Sequence, residues 1–150
     1  MSKRREIDIT AGSSATVDAV YALLADGTTW PRWSPIESYE LEAGAEPTPD
    51  GIGEIRIYRR GRITGRDQIV EQVPGCRFAY RSLSGLPVRD YLGQVDLEPS
   101  PTGSTIRWRA SFLAKIPGTG ALLERGIRRF LDDCVQGLAQ YAATSEQTAA

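Results

Sequence analysis

The last third of the chain contains one long amphipathic segment that has to be buried along one side. Between Thr119 and Ala143, the residues Leu123, Ile127, Phe130, Cys134, Leu138 and Tyr141 follow one another at steps of four, three, four, four and three. Those steps hold them on one face of a 3.6-residue helix. Arg125, Arg128, Arg129, Asp132, Asp133 and Gln136 fall mostly on the other side. Gly118 and Gly120 interrupt the chain just before this segment, and the residues after Ala143 are small and polar. Such a helix needs a surface to cover its stripe. Almost everything upstream reads as short strands, so the expected solution is a sheet that curls around one long helix.

The upstream pattern supplies that sheet. Glu6 to Ala11 alternates, with Ile7 and Ile9 on one face. Ser14 is a candidate N-cap for a compact helix carrying Val17, Val20, Tyr21 and Leu24, which Asp26-Gly27 ends. Thr29-Trp30-Pro31-Arg32-Trp33-Ser34-Pro35 is a stiff turn with one helical turn starting at Pro31. It plugs one end of the core, and Trp33 is a candidate wall of a cavity mouth. Strands are then predicted over Ser38–Ala43 (weak), Gly53–Arg59, Ile63–Val73, Cys76–Ser82, around Tyr91–Leu97 and around Ile106–Phe112. Pro47–Gly51 reads as a loop, and Arg60-Gly61 as a hairpin turn. Ile55 and Ile57 are expected on one face of their strand, and Phe78 and Tyr80 on one face of theirs. The last strand has the clearest period of two, Ile106, Trp108, Ala110 and Phe112 against Arg107, Arg109 and Ser111. Consecutive strands with short turns make an antiparallel meander. The predicted class is α+β, with a curved antiparallel sheet of about seven strands wrapped around a long C-terminal helix and two short helices after the first strand.

Composition narrows the chemistry. The chain of 150 residues is read as one domain, 1–150, ending in a short flexible tail, 144–150. Its formal net charge of −1 provides no global attraction to nucleic acid or to an acidic surface. There is no histidine, which removes Ser-His-Asp and Cys-His catalysis, HExxH chemistry and histidine-ligated zinc. Cys76 and Cys134 are far apart and form no CxxC, so free thiols in a reducing compartment are expected. No apolar run approaches a membrane span, and a soluble, cytoplasmic protein is expected.

The order of elements, together with Ser14–Leu24 followed by Trp30-Pro31-Arg32-Trp33-Ser34-Pro35, then Val73-Pro74-Gly75-Cys76-Arg77-Phe78-Ala79-Tyr80 and Gly103-Ser104-Thr105-Ile106-Arg107-Trp108, resembles the helix-grip fold of the START/Bet v 1-like (SRPBCC) superfamily. It is similar to the polyketide cyclase/dehydrase branch, over nearly the whole chain. The resemblance implies an internal apolar cavity between sheet and helix. It leaves function open, because this fold hosts carriers, cyclases and regulatory proteins. Gly65, Gly93, Ala110 and Gly126 among large aromatics fit either close packing or empty space. A dry void of several hundred Å³ would cost on the order of 10 kcal/mol, comparable to a whole domain's stability of about 5–15 kcal/mol. A cavity here is therefore expected to be hydrated, ligand-filled or partly collapsed.

The predicted lining is Trp33, Ile57, Ile69, Phe78, Tyr80, Tyr91, Trp108 and Phe112 from the turn and sheet, with Leu123, Ile127 and Phe130 from the helix. An apolar, aromatic lining with a few hydroxyls suits a flat or lipid-like molecule; the other reading is an ordinary, filled core. Asp67 and Glu71 share parity with Ile63, Ile69 and Val73. They point inward if the strand is regular, and outward or to the rim beside arginines if a bulge intervenes. A buried carboxyl there could act as general acid or base, with Tyr80 or Tyr91 as donor. Arg56, Arg59, Arg60, Arg62 and Arg66 crowd one hairpin and read as a solvated outer face rather than a phosphate or RNA site. Gly51-Ile52-Gly53 and Gly118-Thr119-Gly120 complete no nucleotide-binding motif.

The expected function is binding or transport of a small hydrophobic or aromatic molecule, lipid, polyketide or quinone-like. The alternatives are a polyketide cyclase/aromatase-type enzyme using Asp67, Tyr80 and Tyr91, and a regulatory protein-interaction module. No cofactor, no metal, no nucleic acid and no integral membrane association is expected, and a homodimer is left open.

Overall fold

The computed structural model describes residues 3–43 and 51–149; positions 47–50 of the predicted loop lie outside them. Strand β1 (Arg5–Ser13) leads into helix α1 (Val17–Ala25), a 3-10 turn (Gly27–Thr29) and the short helix α2 (Trp30–Trp33). Strands β2 (Ser38–Leu41), β3 (Ile55–Arg60), β4 (Ile63–Val73), β5 (Arg77–Ser84), β6 (Val88–Ser100) and β7 (Gly103–Ala114) follow, then helix α3 (Gly120–Ala149). The seven strands form one sheet in the order β1-β7-β6-β5-β4-β3-β2, and every neighbouring pair is antiparallel. The helix-grip architecture expected from the sequence is therefore present. α3 runs on through residues 144–149, where a tail was expected.

Local chemistry explains the joints. Thr16, and not Ser14, caps α1 by accepting a hydrogen bond from the Ala19 amide at 3.2 Å. Ser13, just upstream, instead donates to the Ala139 carbonyl of α3 at 2.7 Å and ties the start of the chain to its end. α2 starts at Trp30, with Pro31 in its first turn where no amide donor is needed. The β3–β4 hairpin turns on Gly61-Arg62, because Arg60 and Ile63 are already paired. Gly61 supplies the positive φ of 57°.

The core follows from the strand parity. Ile7, Val95, Ile106, Trp108 and Phe112 point from β1, β6 and β7 toward Leu131, Val135 and Leu138 of α3, all of them fully buried. The centre of the α3 stripe is thus Ile127, Leu131, Cys134, Val135, Leu138 and Ala142, while Leu123, Phe130 and Tyr141 lie at its flank, half-buried. α3 packs on β1, β7, α1 and α2, with no comparable packing on β3, β4 or β5 among the described residues. A sheet of seven strands accumulates a right-handed twist of roughly 20–25° per strand. A straight helix cannot follow it, so β3–β5 diverge from α3 and a gap opens at that side.

Three departures from regular pairing occur among the described residues, the first where β5 slips against β4 between Arg66 and Asp67. In β4 the register slips between Ile69 and Glu71, so Ile69 opposes Tyr80 while Glu71 opposes Ala79. In β6 the register slips between Arg89 and Leu92, where Asp90 adopts φ 50°. Such bulges bend a strand and re-aim its neighbours.

Candidate functional site

The gap between β3–β5 and α3 is a cavity of ≈ 660 Å³ that opens to solvent. Of the residues expected to line it, Tyr80, Tyr91, Trp108, Leu123, Ile127 and Phe130 do so. Ile69 and Phe78 instead border a small inner chamber of ≈ 30 Å³, room for about one water. Trp30, Ile36, Tyr58, Asp67 and Tyr80 belong to both spaces and form the partition between them.

Three expected lining residues sit elsewhere. Trp33 is buried behind Trp30, with ring centroids 4.6 Å apart, and its indole N–H donates to Thr29 at 3.1 Å. Trp30 takes the wall position. Phe112 is fully buried and stacks behind Tyr91 at 6.0 Å. Ile57 lies on the outer side of the sheet, because β3 has the opposite parity to the one its isoleucines suggest. Arg56, Tyr58 and Arg60 face inward, and Ile55 and Ile57 face out.

The arginine hairpin is correspondingly not a uniform solvated face. Arg56 is buried to 5% exposure. Its guanidinium donates to the Leu24 and Ala25 carbonyls at 3.0 and 2.6 Å and pairs with Glu54 at 2.8 Å. It therefore satisfies carbonyls at the C-terminal end of α1, where a cation is also favoured by the helix dipole. Arg60 reaches along the cavity edge and stacks over the Phe130 ring at 4.7 Å. Arg59 and Arg66 do face out, toward Glu40 and Glu42.

Two of the glycines expected to mark either packing or space mark packing. The ring of Tyr58 lies over Gly65, its direct partner across β3 and β4, and the ring of Tyr80 lies over Gly93 across β5 and β6. A Cβ at either glycine would collide with the ring above it. Gly126 of α3 meets nothing within 4 Å and borders the cavity.

Asp67 is the chemical centre of this arrangement. It faces inward, the side expected for it in a regular strand, although the pairing with β5 slips just before it, while the slip beyond Ile69 turns Glu71 outward to Arg77 at 3.5 Å. Among the described residues the Asp67 carboxyl makes no hydrogen bond or ion pair, and the surface it keeps open faces the two chambers. Burial pushes its pKa up to about 7, opposed only in part by the positive charge of Arg56. Burial, and then the neighbouring Asp67 charge, push the Tyr58 hydroxyl well above its usual range. Burial does the same for Tyr80 and Tyr91. Tyr80 accepts a hydrogen bond from the Trp108 indole at 3.1 Å, which fixes its ring and leaves its own proton to donate. The site therefore presents neutral hydroxyl donors and one carboxyl group poised between its two protonation states.

Cys134 is buried and its thiol is pushed up by burial, so it packs as a small apolar group. Among the described residues no cluster of three or more Cys, Asp or Glu assembles a metal site, and no helix is long and apolar enough to cross a membrane.

Tyr58, Trp30 and Arg60 were not expected at the site. Tyr58 faces Gly65 because the hairpin turns on Gly61-Arg62, one residue later than expected; in that register its aromatic ring covers the bare backbone.

Comparison with known proteins matches this picture. An uncharacterised protein of Mycobacterium tuberculosis is 28% identical over 131 residues, covering 81% of this chain and 77% of that protein. The Zhui aromatase/cyclase from Streptomyces sp. R1128 superposes with a TM-score of 0.79 at 17% identity, over 93% of this chain and 94% of the other. A START superfamily protein from Mycobacterium smegmatis does so with 0.76 at 14% identity, over 91% and 96%. The family described as polyketide cyclase/dehydrase and lipid transport matches residues 4–143. The two solved structures share its fold, and the chain belongs to the polyketide cyclase/dehydrase and lipid transport family.

Proposed function

We propose that this protein binds a small hydrophobic or aromatic molecule, lipid, polyketide or quinone-like, in the cavity between β3–β5 and α3. The observation that carries this reading is an open, mainly apolar cavity of ≈ 660 Å³ whose inner end carries the Asp67 carboxyl, unpartnered among the described residues. That volume is in the range of ligand sites, about 300–1,000 Å³. The aromatic and aliphatic walls supply affinity, and Asp67 with the Tyr58 and Tyr80 hydroxyls supplies orientation. Native mass spectrometry of the purified protein, followed by solvent extraction, tests it. A stoichiometric apolar passenger is expected, or uptake of an added aromatic probe that quenches the fluorescence of Trp30 and Trp108. Gly126→Trp projects a ring into the cavity and is expected to abolish uptake while the fold is kept. A bare protein that takes up no probe, or uptake unaffected by Gly126→Trp, overturns the reading.

A second reading is a cyclase or dehydratase. The observation favouring it is the Asp67 carboxyl, raised to about 7 beside hydroxyl donors, since a general acid or base works best with a pKa near the working pH. Here Asp67 moves the proton and Tyr80 or Tyr91 donates to the substrate oxygen. Asp67→Asn and Tyr80→Phe then abolish turnover of a poly-β-ketone substrate without loss of binding. Turnover surviving both changes overturns the enzymatic reading and leaves the binding one.

A further inference from the structure

Four segments meet at the mouth of the cavity: the β3–β4 hairpin tip, the β5–β6 loop, the β7–α3 connection and the first turns of α3. Each brings aliphatic surface to the rim, from Ile63, Leu86 with Pro87, Ile116 and Leu122 respectively. Four of these stay open to solvent: Pro87, Ile63 at 37%, Ile116 at 55% and Leu122 at 76%. Single exposed aliphatics are ordinary, but several gathered around one opening form an interaction surface. Three of these segments carry basic residues. Arg62 adjoins Ile63, Lys115 adjoins Ile116, and Arg125 and Arg129 follow Leu122 along α3, all of them exposed. Residues 60–63 and 114–119 contain no acid. Glu124, the acid in the first turns of α3, is engaged by Arg5 at 3.7 Å and Arg128 at 4.0 Å. The acids that border the cavity are Asp67, deep inside, and Asp133, about three turns along α3 from Leu122. In a chain with a net charge of −1, this rim is a local excess of positive charge around apolar side chains.

We propose that the cavity mouth docks on a bilayer containing anionic lipids. Ile116 and Leu122 enter the headgroup boundary, and Arg62 and Lys115 meet lipid phosphates. The last consequence, that an apolar ligand passes between bilayer and cavity without crossing water, rests on the binding function proposed above; the docking itself does not. A bilayer fits this rim better than an acidic protein does. The exposed aliphatics come from separate segments around a hole, and an acyl phase continues the cavity lining where a protein would cap it. With no helix able to span a membrane among the described residues, the attachment is peripheral.

Co-sedimentation with vesicles tests this, using phosphatidylcholine alone and an equal mixture of phosphatidylcholine and phosphatidylglycerol. The wild-type protein is expected to partition onto the mixed vesicles, and less so in high salt. Each basic residue at an anionic surface contributes roughly a fivefold factor. Arg62→Glu, which removes one and adds a repulsive charge, is expected to weaken partition about tenfold or more. Arg81→Glu makes the same charge change on the outer face of β5 and is expected to have a much smaller effect. Leu122→Ser is expected to weaken partition several-fold. All three positions are exposed, and circular dichroism checks that each variant folds. No preference for anionic vesicles, equal losses from Arg62→Glu and Arg81→Glu, or no loss from Leu122→Ser overturns the proposal. Vesicle binding by a protein that takes up no ligand counts against the binding function alone, and a ligand-loaded protein that ignores vesicles counts against docking alone.

Discussion

The two halves of the sheet obey the same strand geometry and reach opposite outcomes. In the half made of β1, β7 and β6, inward positions carry Ile7, Ile106, Trp108, Phe112 and Val95, all fully buried, and α3 packs on β1 and β7, with Trp108 and Tyr91 at the boundary where the cavity begins. In the half made of β3, β4 and β5, inward positions include Arg56, Tyr58, Arg60 and Asp67, and α3 stands away across the cavity. The closed half resembles the interior of any globular domain. The hollow half is relieved of packing, so it can hold groups that a filled core would exclude. Two aspartates make the same contrast across the sheet. Asp96, on the outer face, would be raised by burial, but hydrogen bonds from Gln94, Arg77 and Arg109 lower it to about 2. Asp67, on the inner face, has no such partners and goes the other way.

The contrast can be broken by substitution. Phe112→Ala, at a fully buried position in the closed half, is expected to cost about 3–5 kcal/mol in chemical denaturation. Phe130→Ala, on the cavity wall, should cost less than half as much; equal losses would erase the distinction between the halves. Asp67→Asn gives a pH-dependent effect. Burial raises the folded carboxyl from its ordinary 3.8 to about 7, so the native state holds the extra proton between those values. Its contribution is most favourable below the unfolded value and is lost as the pH rises through 7. The variant should match the wild type near the unfolded carboxyl's titration and exceed its stability at mildly alkaline pH, by on the order of 1–4 kcal/mol. The same change at both pH values would mean that Asp67 is not desolvated.

Two glycines of α3 give the finest comparison. Gly137 packs directly on the backbone of α2, where an added Cβ would collide with the Trp33 carbonyl. Gly137→Ala should destabilise by about 1–3 kcal/mol despite its better helix propensity. Gly126 faces open space, so Gly126→Ala should stabilise by about 0.5–1 kcal/mol. Thermal unfolding measures both, and a shared sign would show that the helix is not differently seated at its two positions.

The legible parts of the molecule were those where burial and apolarity coincide. β7 alternates Ile106, Trp108, Ala110 and Phe112 against arginines, and these four are the ones that turn inward. β3 alternates just as cleanly, but its isoleucines face out and Arg56, Tyr58 and Arg60 face in. The rule that apolar means inward fails there because Arg56 is neutralised by α1 carbonyls and Glu54 and because Arg60 and Tyr58 border a hollow. Asp67 and Glu71 were equivalent in the sequence, and one slip of register separated them. Trp33 was the expected wall residue, but the packing of α2 against α3 buries it and leaves Trp30 at the cavity.

Local pattern alone specified the order of elements, the antiparallel meander, the amphipathic closing helix and the absence of histidine chemistry, because periodicity and composition are properties of the chain before it folds. The position of the cavity, the inward face of β3 and the isolation of the Asp67 carboxyl were decided by tertiary structure. Each depends on how far a twisted sheet departs from a straight helix and on contacts between residues distant in sequence, which no window along the chain contains.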